Sequence, residues 1–392
     1  MKNANDSTGQ RGALNGIRVL DFTALVQGPM ATQILGDLGA DVIKFEREGG
    51  EWSRHWGVGN GRTHGELDSF LAFNRNKRSV TADLKSPDVR EAILELAATS
   101  DVVVENFRPE VMSRLGLGYE DFKRVNPAII YACSSGWGQS GPYVARPGQD
   151  MLAQATSGLM HMTGQEGDPP IGVGVGIADL YTGLHIVIGV LAALAHRSST
   201  GEGQRVEVDL FSCVTALQQQ ELTYYMSHRS LPPRPERNVA SRFATAPFGI
   251  YPTHDGHLVI AMTPCPIIAV ALGLPEIAQF DTNELMLEHR IEIYDTIAAR
   301  LAEDSTAAWI EKLLAHDVWC ATVQDYEALL ADPQLAHNGL VWQVPVGDDG
   351  PLFSTIASPI SLSVTPTVVR RGVPRLGEHT NEVFAPSGEE TT

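Results

Sequence analysis

The sequence predicts an α/β protein with a large domain, built on a Rossmann-like parallel sheet, and a smaller α+β domain. Three observations lead to this prediction. Strand and helix patterns alternate up to about residue 150, helical patterns dominate from there to about residue 230, and a short alternation of strands and helices follows a proline-rich segment. With 392 residues, 43% of them hydrophobic, the chain has enough apolar side chains for two or three domains.

The first strand–helix–strand unit lies near the N-terminus. GIRVLDFT (Gly16 to Thr23) has the pattern of a buried strand, PMATQILGDL that of a helix ending at Gly39, and ADVIKFE (Ala40 to Glu46) that of a second strand. Two strands joined by a helix in this way are typical of a parallel pair.

A second unit follows directly. SVTADL predicts a strand, Ser86 and Pro87 are a favourable N-cap and first residue of a helix, and DVVVEN (Asp101 to Asn106) predicts the next strand. Helical EVMSRLG and YEDFKRV then lead to the strand AIIYACS (Ala128 to Ser134). The alternation therefore extends the parallel sheet.

The pattern changes after residue 150. Two helical stretches flank the loop EGDPPIGVGVGIA, the turn TGEGQ precedes the strand RVEVDL, and proline and charge mark a linker at Leu231 to Asn238. A hairpin is predicted around Asp255 and Gly256, followed by helices to about Leu330. We predict residues 1–230 as the first part of the large domain, 231–330 as linker and small domain, and 331–392 as a segment returning to the large domain.

Charge and cysteine usage restrict the function and the setting. The formal charge of −18 argues against nucleic acid or an anionic membrane as the main partner, so an anionic ligand needs a local basic cluster. The four cysteines form no CxxC pair and no zinc-ligand spacing, the N-terminal MKNANDSTGQRG lacks a signal-peptide pattern, and the longest apolar run, Ile186 to Ala195, has 10 residues. We expect a soluble, cytoplasmic protein without a metal site.

Sequence motifs disfavour several common enzyme classes. The run GVGVGIAD (Gly172 to Asp179) lacks the GxGxxG spacing of a dinucleotide site, and the turn after the first strand reads FTALVQGP. No GxxxxGK[ST], HExxH or GxSxG occurs, which disfavours a P-loop ATPase, a zinc protease and an α/β-hydrolase.

Asp179 is the most informative single residue. It follows the glycine run and begins a helix of about four turns that is too apolar to be exposed. One interpretation is that Asp179 is the N-cap of this helix. The other is that the helix N-terminus holds its carboxylate ionised, so that it acts as a covalent nucleophile toward an activated acyl carbon.

A set of basic residues follows or ends the predicted strands. Because ligands of a parallel sheet bind at the carboxyl ends of its strands, we expect several of these side chains to converge there and to hold phosphates. The alternative for each one is a solvated surface charge. The set consists of Arg47, Arg75, Lys77, Arg78, Lys85, Arg108 and Arg114.

Taken together, the ordered motifs resemble the family III CoA-transferases, which include formyl-CoA transferase and the carnitine CoA-transferases. The resemblance extends from Leu14 to Phe384 and is carried by LNGIRVLDFT, GPMATQILGDLGADVIKFER, FNRNKRSV, DVVVENFRP, SGWGQSGPY, RPGQDMLAQATSGLM, ADLYTGLHIVIGVLAALAHRSSTGEGQRVEVDL and LGEHTNEVF. It implies transfer of CoA from an acyl-CoA to a free carboxylic acid.

The resemblance also implies roles for individual residues. Asp179 matches the nucleophilic aspartate of the family, which forms an anhydride and then an aspartyl-CoA thioester. Arg146, Gln149 and Asp150 match the loop at the thioester end. Residues implied to bind CoA are Val26 and Gln27 in the loop after the first strand, Arg47, Lys85, Asn106, Phe107, Arg108 and Arg114.

Family members form an interlocked homodimer of ring-shaped chains, and the resemblance implies the same here. Acyl-CoA is then a substrate, and no permanently bound cofactor is expected. Two alternatives stay open on the same sequence. One is an α-methylacyl-CoA racemase, in which a histidine stands at the position of Gln149. The other is a non-catalytic CoA-binding protein.

Overall fold

The computed structural model describes residues 11–57 and 61–385. Residues 1–10, which carry most of the segment without a signal-peptide pattern, lie outside the described residues. The described residues fall into two compact units. The first lies within residues 1–157, 175–217 and 333–392, and the second within residues 158–174 and 218–332.

Strands and helices alternate along most of the described chain. The strands are β1 (Arg18–Phe22), β2 (Asp41–Glu46), β3 (Arg62–Thr63), β4 (Glu66–Leu67), β5 (Lys77–Thr81), β6 (Val102–Glu105), β7 (Ile130–Ser135), β8 (Arg205–Asp209), β9 (Gly249–Pro252), β10 (His257–Ile260), β11 (Cys320–Thr322), β12 (Val341–Pro345) and β13 (Leu352–Ile356). The α-helices are α1 (Gln27–Asp37), α2 (Asp68–Leu71), α3 (Pro87–Ala97), α4 (Val111–Arg114), α5 (Tyr119–Val125), α6 (Asp150–Thr156), α7 (Leu159–Met162), α8 (Ile177–Thr200), α9 (Leu210–Leu217), α10 (Gln219–His228), α11 (Cys265–Leu272), α12 (Asn283–Glu288), α13 (Arg290–Leu301), α14 (Thr306–Leu314), α15 (Tyr326–Ala331), α16 (Pro333–His337) and α17 (Thr380–Phe384). Two 3₁₀ turns are Trp52–Arg54 and Pro275–Gln279.

The first unit is built on a six-stranded sheet in the order β5-β2-β1-β6-β7-β8, and every neighbouring pair is parallel. Successive residues of a strand point to opposite faces, so Val19 joins the core on one face and Leu20 the core on the other. The predicted α/β class with a parallel sheet is confirmed.

Helices cover both faces of this sheet. On one face, Leu35 of α1 and Val190 of α8 are completely buried against the strands. On the other, Ile93 of α3 and Phe122 of α5 are equally buried. This arrangement leaves the carboxyl ends of the strands as the place where loops can form a site.

The C-terminal segment packs against the N-terminal part of the first unit. The His379 amide donates to the Ser79 carbonyl at 2.9 Å, and the Thr81 amide donates to Oγ1 of Thr380 at 2.9 Å. The β12–β13 hairpin contributes Val344 and Phe353 to a core that contains Phe70 and Leu71.

The second unit is an α+β assembly. An antiparallel sheet in the order β11-β10-β9 packs with α11, α13 and α14 around residues such as Tyr251, Ile268 and Ile297. The predicted hairpin around Asp255 and Gly256 is present as β9 and β10.

The two units divide the chain differently from the predicted boundaries, which place residues 158–174 and 218–230 in the large domain. Residues 158–174 group with the second unit because two arginines hold their main chain. Arg234 donates to the Asp168 carbonyl at 2.7 Å and Arg242 to the His161 carbonyl at 2.9 Å. As limits of folding domains, the predicted boundaries stay a prediction.

The helix that carries Asp179 is longer and more exposed than expected. It has 24 residues instead of about four turns, because it continues without a break to Thr200, where the predicted turn begins. Helix α8 is long and apolar enough to cross a membrane, but core helices of soluble proteins also meet this criterion. Ile186 and Val190 face the sheet, whereas Leu184, Ile188 and Leu191 form a stripe that is exposed in the single chain, so within this chain the expected burial of the apolar helix is met on one face only.

Candidate active site

A cavity of about 140 Å³ lies in the first unit, where the segments that follow β1, β6 and β7 meet the start of α8. Asp179 lines it. So do seven other residues predicted to act in the site, namely Val26, Gln27, Asn106, Phe107, Arg108, Arg146 and Gln149. These residues lie up to 153 positions apart in sequence, and the parallel sheet brings them together because the carboxyl ends of its strands share one edge.

Asp150, and not Asp179, caps helix α8. The N-cap of α8 is Gly176, which has no side chain, and Asp179 is the third helical residue. Oδ2 of Asp150 accepts hydrogen bonds from the amides of Ala178 (2.8 Å) and Asp179 (3.2 Å). The interpretation of Asp179 as an N-cap is therefore wrong.

The Asp179 carboxylate has an unusual electrostatic environment. Partial burial, followed by the negative charge of Asp150, raises the pKa of the Asp179 carboxyl to about 7. The expectation that the helix N-terminus holds this group ionised is wrong, because Asp150 occupies the amides that would do so. A carboxylate that is partly desolvated and uses none of its oxygens as a cap is chemically available.

The loop after β1 is fixed by buried side chains. Asn106 makes two hydrogen bonds to Ala24, from its Nδ2 to the carbonyl and from the Ala24 amide to its Oδ1, both of 2.8 Å. The buried Lys44 donates to the Thr23 carbonyl at 2.7 Å. Glu51 accepts from the amide of Leu25, whose φ of 70° is unfavourable for a leucine. Asn106 thus supports the loop that carries Val26.

Sequence reasoning missed Lys44 and Glu51. Lys44 stands inside the apolar strand pattern ADVIKFE, and a charged residue at such a position signals a buried partner. Its Nζ lies 3.8 Å from Oε1 of Glu51. Both residues therefore act on the site through the loop and do not line the cavity.

Gln27 is the first residue of α1, one position after the N-cap Val26, and so is not in the loop as predicted. Its Oε1 accepts a hydrogen bond of 2.8 Å from Oγ of Ser134 in β7. Ser134 is fully buried and sequence reasoning missed it as well.

Two arginines bring positive charge to the cavity. The guanidinium of Arg146 stacks on the ring of Tyr143 at 3.7 Å, and Arg108 follows β6. Neither side chain forms an ion pair within the residues that the structure describes. Uncompensated guanidinium groups beside a cavity favour an anionic ligand.

The other predicted ligands lie elsewhere. Gln149 caps α6 by accepting from the Met151 amide at 3.1 Å, although it also lines the cavity. Arg47 directly follows β2 and donates to the Gly50 carbonyl at 2.8 Å, and Lys85 is exposed four residues after β5. Arg114 lines a separate groove of about 780 Å³ with Arg90 and Arg124.

Three members of the predicted basic set are structural, so the expectation that they converge on a ligand is wrong. Arg75 pairs with Asp37 at 2.6 Å, Lys77 with Asp21 at 3.1 Å and Arg78 with Asp41 at 2.6 Å. Burial lowers the pKa of Lys77 to about 8, against the opposing effect of Asp21. Lys77 and Arg78 begin β5, so they lie at the amino end of a parallel strand and not at its carboxyl end.

Comparison with known proteins agrees with this architecture. The family described as CoA-transferase family III matches residues 14–380. Succinyl-CoA:glutarate CoA-transferase from Mus musculus is 36% identical over 387 residues, which cover 95% of this chain and 85% of that protein. Formyl-CoA:oxalate CoA-transferase from Streptomyces coelicolor is 35% identical, with 95% of this chain and 94% of that protein covered. The crystal structure of a CAIB/BAIF family protein from Brucella suis has a TM-score of 0.84 at 30% identity and covers 96% of this chain and 99% of that one.

Proposed function

The chain belongs to CoA-transferase family III, and we propose that it moves CoA from an acyl-CoA donor to a free carboxylic acid through covalent intermediates on Asp179. One observation carries this proposal. The Asp179 carboxylate lines the cavity, is partly removed from water, and receives no hydrogen bond from any described side chain. Partial desolvation increases the nucleophilicity of a carboxylate, and a raised pKa strengthens it as a base.

The reaction consists of balanced acyl transfers. A carboxylate oxygen of Asp179 bonds to the thioester carbonyl carbon, and the C–S bond breaks to give a mixed anhydride and CoA thiolate. The thiolate then attacks the aspartyl carbonyl carbon, the C–O bond breaks, and the donor acid leaves as a carboxylate. The acceptor carboxylate attacks the resulting aspartyl thioester and expels the thiolate, which finally attacks the acceptor acyl carbon and releases Asp179. No step consumes ATP or requires a permanently bound cofactor.

The charge distribution supports an assignment of the CoA contacts. Arg47, Lys85 and Arg108 follow β2, β5 and β6, so they lie at the same edge of the sheet as Val26. We propose that these cations and Arg114 hold the phosphates, that Val26 and Phe107 contact the pantetheine arm, and that Gln27 lies beside them at the thioester end. Asn106 and Asp150 contribute by fixing main chain, and Gln149 closes the wall of the cavity.

The acid is proposed to be a dicarboxylate. The relatives named above act on glutarate and oxalate, which both carry a second carboxylate. In this chain Arg146 lines the same cavity as Asp179 and has no acidic partner among the described residues. Stacking on Tyr143 limits the rotamers of Arg146, so the guanidinium is preorganised for a carboxylate.

Acid-dependent transfer is the expected result for the wild type. Succinyl-CoA incubated with a panel of short carboxylic acids should form new acyl-CoA thioesters only when an acid is added, as measured by chromatography with mass detection. In deuterated water without an acid, a 2-methylacyl-CoA should not gain deuterium at its α-carbon, because Gln149 cannot exchange a proton at neutral pH. Deuterium exchange at the turnover rate would instead indicate a racemase. Binding of acyl-CoA without any reaction would indicate a non-catalytic protein.

The oligomer is proposed to be a homodimer with interlocked chains. The exposed stripe of α8, Leu184, Ile188 and Leu191, supports this proposal because aliphatic side chains in a row are seldom left in water. All four cysteines are free thiols, which supports a reducing, cytoplasmic setting for a soluble enzyme.

Interlocked chains are expected to stay dimeric on dilution, because separating them requires large-scale unfolding. Mass photometry at nanomolar concentration should therefore show only the dimer. Ile188→Glu, at a site 60% exposed in the single chain, should lower the yield of dimer on refolding, whereas Val364→Glu, at a site 87% exposed outside the stripe, should not. A wild type that is monomeric at nanomolar concentration would contradict the proposal.

A further inference from the structure

The side-chain amide of Gln27 is oriented with its oxygen toward Ser134. Its oxygen accepts the 2.8 Å hydrogen bond from Ser134, which is fully buried, and Gln27 itself is 8% exposed. In the described part of the chain nothing accepts a hydrogen bond from Nε2 of Gln27, and this residue lines the cavity. The hydroxyl of Ser134 therefore binds the oxygen of the amide and leaves its NH₂ group available to donate to a ligand.

Gly183 brings Gln27 close to Asp179. A methyl group on Gly183 would lie 2.8 Å from the main-chain oxygen of Gln27, so only glycine allows the start of α1 to contact α8 here. Residues 179 and 183 are four apart in one helix, so they share a face and are separated by about 6 Å along its axis. Gln27 thus begins α1 about one helical turn from the proposed nucleophile.

We infer that Ser134 is a positioning residue for the proposed transfer reaction, because it aims the Nε2–H of Gln27 at the carbonyl oxygen of the acyl group that Asp179 attacks. As the oxygen of Asp179 bonds to the carbonyl carbon, the electron pair of the C=O bond moves to its oxygen. A donor already in place there stabilises the negative charge without rearrangement. When the C–S bond breaks, that pair returns to form the C=O bond of the anhydride.

The position of Ser134 in the strand explains why it has this role. Adjacent residues of β7 point to opposite faces of the sheet, and the neighbouring Ser135 accepts from the Gly138 amide at 3.0 Å. Ser135 thus stabilises the loop that follows β7, whereas Ser134 points toward α1. The two serines are adjacent in sequence, but Ser135 binds the loop after β7 and Ser134 binds Gln27.

A double-mutant cycle on the kcat of transfer tests the inference. Gln27→Ala removes the donor and should lower kcat by about 10²–10³-fold. Ser134→Ala should lower kcat by at least about tenfold with little change in the KM for acyl-CoA, because binding contacts remain. If Ser134 acts through Gln27, the double variant is no slower than Gln27→Ala alone. Losses that multiply would overturn the inference.

A matched control separates this role from a loss of stability. Ser100 is also buried, and its Oγ donates to the Leu96 carbonyl at 2.8 Å. Ser100→Ala should lower Tm about as much as Ser134→Ala and leave kcat unchanged. If Ser134→Ala unfolds, Ser134→Cys, which is similar in size but a weak donor, replaces it in the cycle. An inactive wild type would refute the proposed function, whereas an active wild type with multiplying losses refutes only the role of Ser134.

Discussion

Replacement of Asp179 by alanine or by asparagine is expected to lower the rate of CoA transfer by at least about four orders of magnitude, the effect typical of losing a covalent nucleophile. Neither side chain can form the anhydride, and no other carboxylate lines the cavity among the residues that the structure describes. CoA binding, measured by calorimetry, should be nearly unchanged because its proposed contacts lie on other residues.

The covalent intermediate can be observed directly. Wild type incubated with acyl-CoA and then with hydroxylamine should carry a hydroxamate on Asp179, which peptide mass spectrometry detects. Asp88→Asn is a matched control. Asp88 lies in the first turn of α3, as Asp179 lies in the first turn of α8, but the Asp88 side chain is exposed. Asp88→Asn should retain full activity. Transfer by Asp179→Ala at the wild-type rate would contradict the mechanism.

Activity should also depend on pH through Asp179. Only the ionised carboxylate attacks, and burial together with Asp150 raises its pKa to about 7. The rate constant of the first acylation should therefore rise between about pH 6 and 8 and level off above that range. Single-turnover measurements on the acyl-CoA half-reaction isolate this step.

The same raised pKa predicts that asparagine stabilises the fold. A carboxyl whose pKa is higher in the folded than in the unfolded protein destabilises the folded state above the folded pKa, and the destabilisation disappears as pH falls toward the unfolded value. Partial solvent access screens the charge, so we expect Asp179→Asn to raise the free energy of unfolding by about 1–2 kcal/mol at pH 8. The gain should be smaller at pH 5.5.

Sequence patterns predicted the sheet well because local signals and tertiary packing agree there. β6 begins with three valines, and the apolar patterns of β1 and β2 are interrupted inside the strand only by Asp21 and Lys44, as expected for strands covered on both faces. Ser86 and Pro87 marked the start of α3 correctly. The length of α8 was underestimated although no proline interrupts its pattern before Gly201, whose positive φ of 77° ends the helix.

The site was predicted less completely because its charges are paired over long sequence distances. Arg75, Lys77 and Arg78 resemble ligand-binding cations in the sequence, yet their acidic partners lie on α1, β1 and β2. Asp150 caps a helix that begins 27 residues later. Neither the ion pairs nor the Asp150 cap has a local signal in the sequence, since both depend on how the elements pack around the sheet.

The second large effect is expected at Arg146, and it should depend on the substrate. Succinyl and butyryl groups have chains of equal length, but only succinyl carries a distal carboxylate. If Arg146 binds that carboxylate, Arg146→Ala removes a charge-assisted hydrogen bond worth about 2–3 kcal/mol, which corresponds to about 30- to 150-fold in kcat/KM. Butyryl-CoA makes no such contact.

The measurement compares kcat/KM for succinyl-CoA and butyryl-CoA in the wild type, in Arg146→Ala and in Arg108→Ala. Arg108 is the matched control, because it also lines the cavity without an ion pair among the described residues but is proposed to bind CoA, which both substrates share. Arg146→Ala should remove most of the preference for succinyl-CoA, whereas Arg108→Ala should slow both substrates by the same factor and keep the preference. Equal losses for the two substrates in Arg146→Ala would show that this arginine does not bind the distal carboxylate, because a contact shared by both substrates cannot distinguish them.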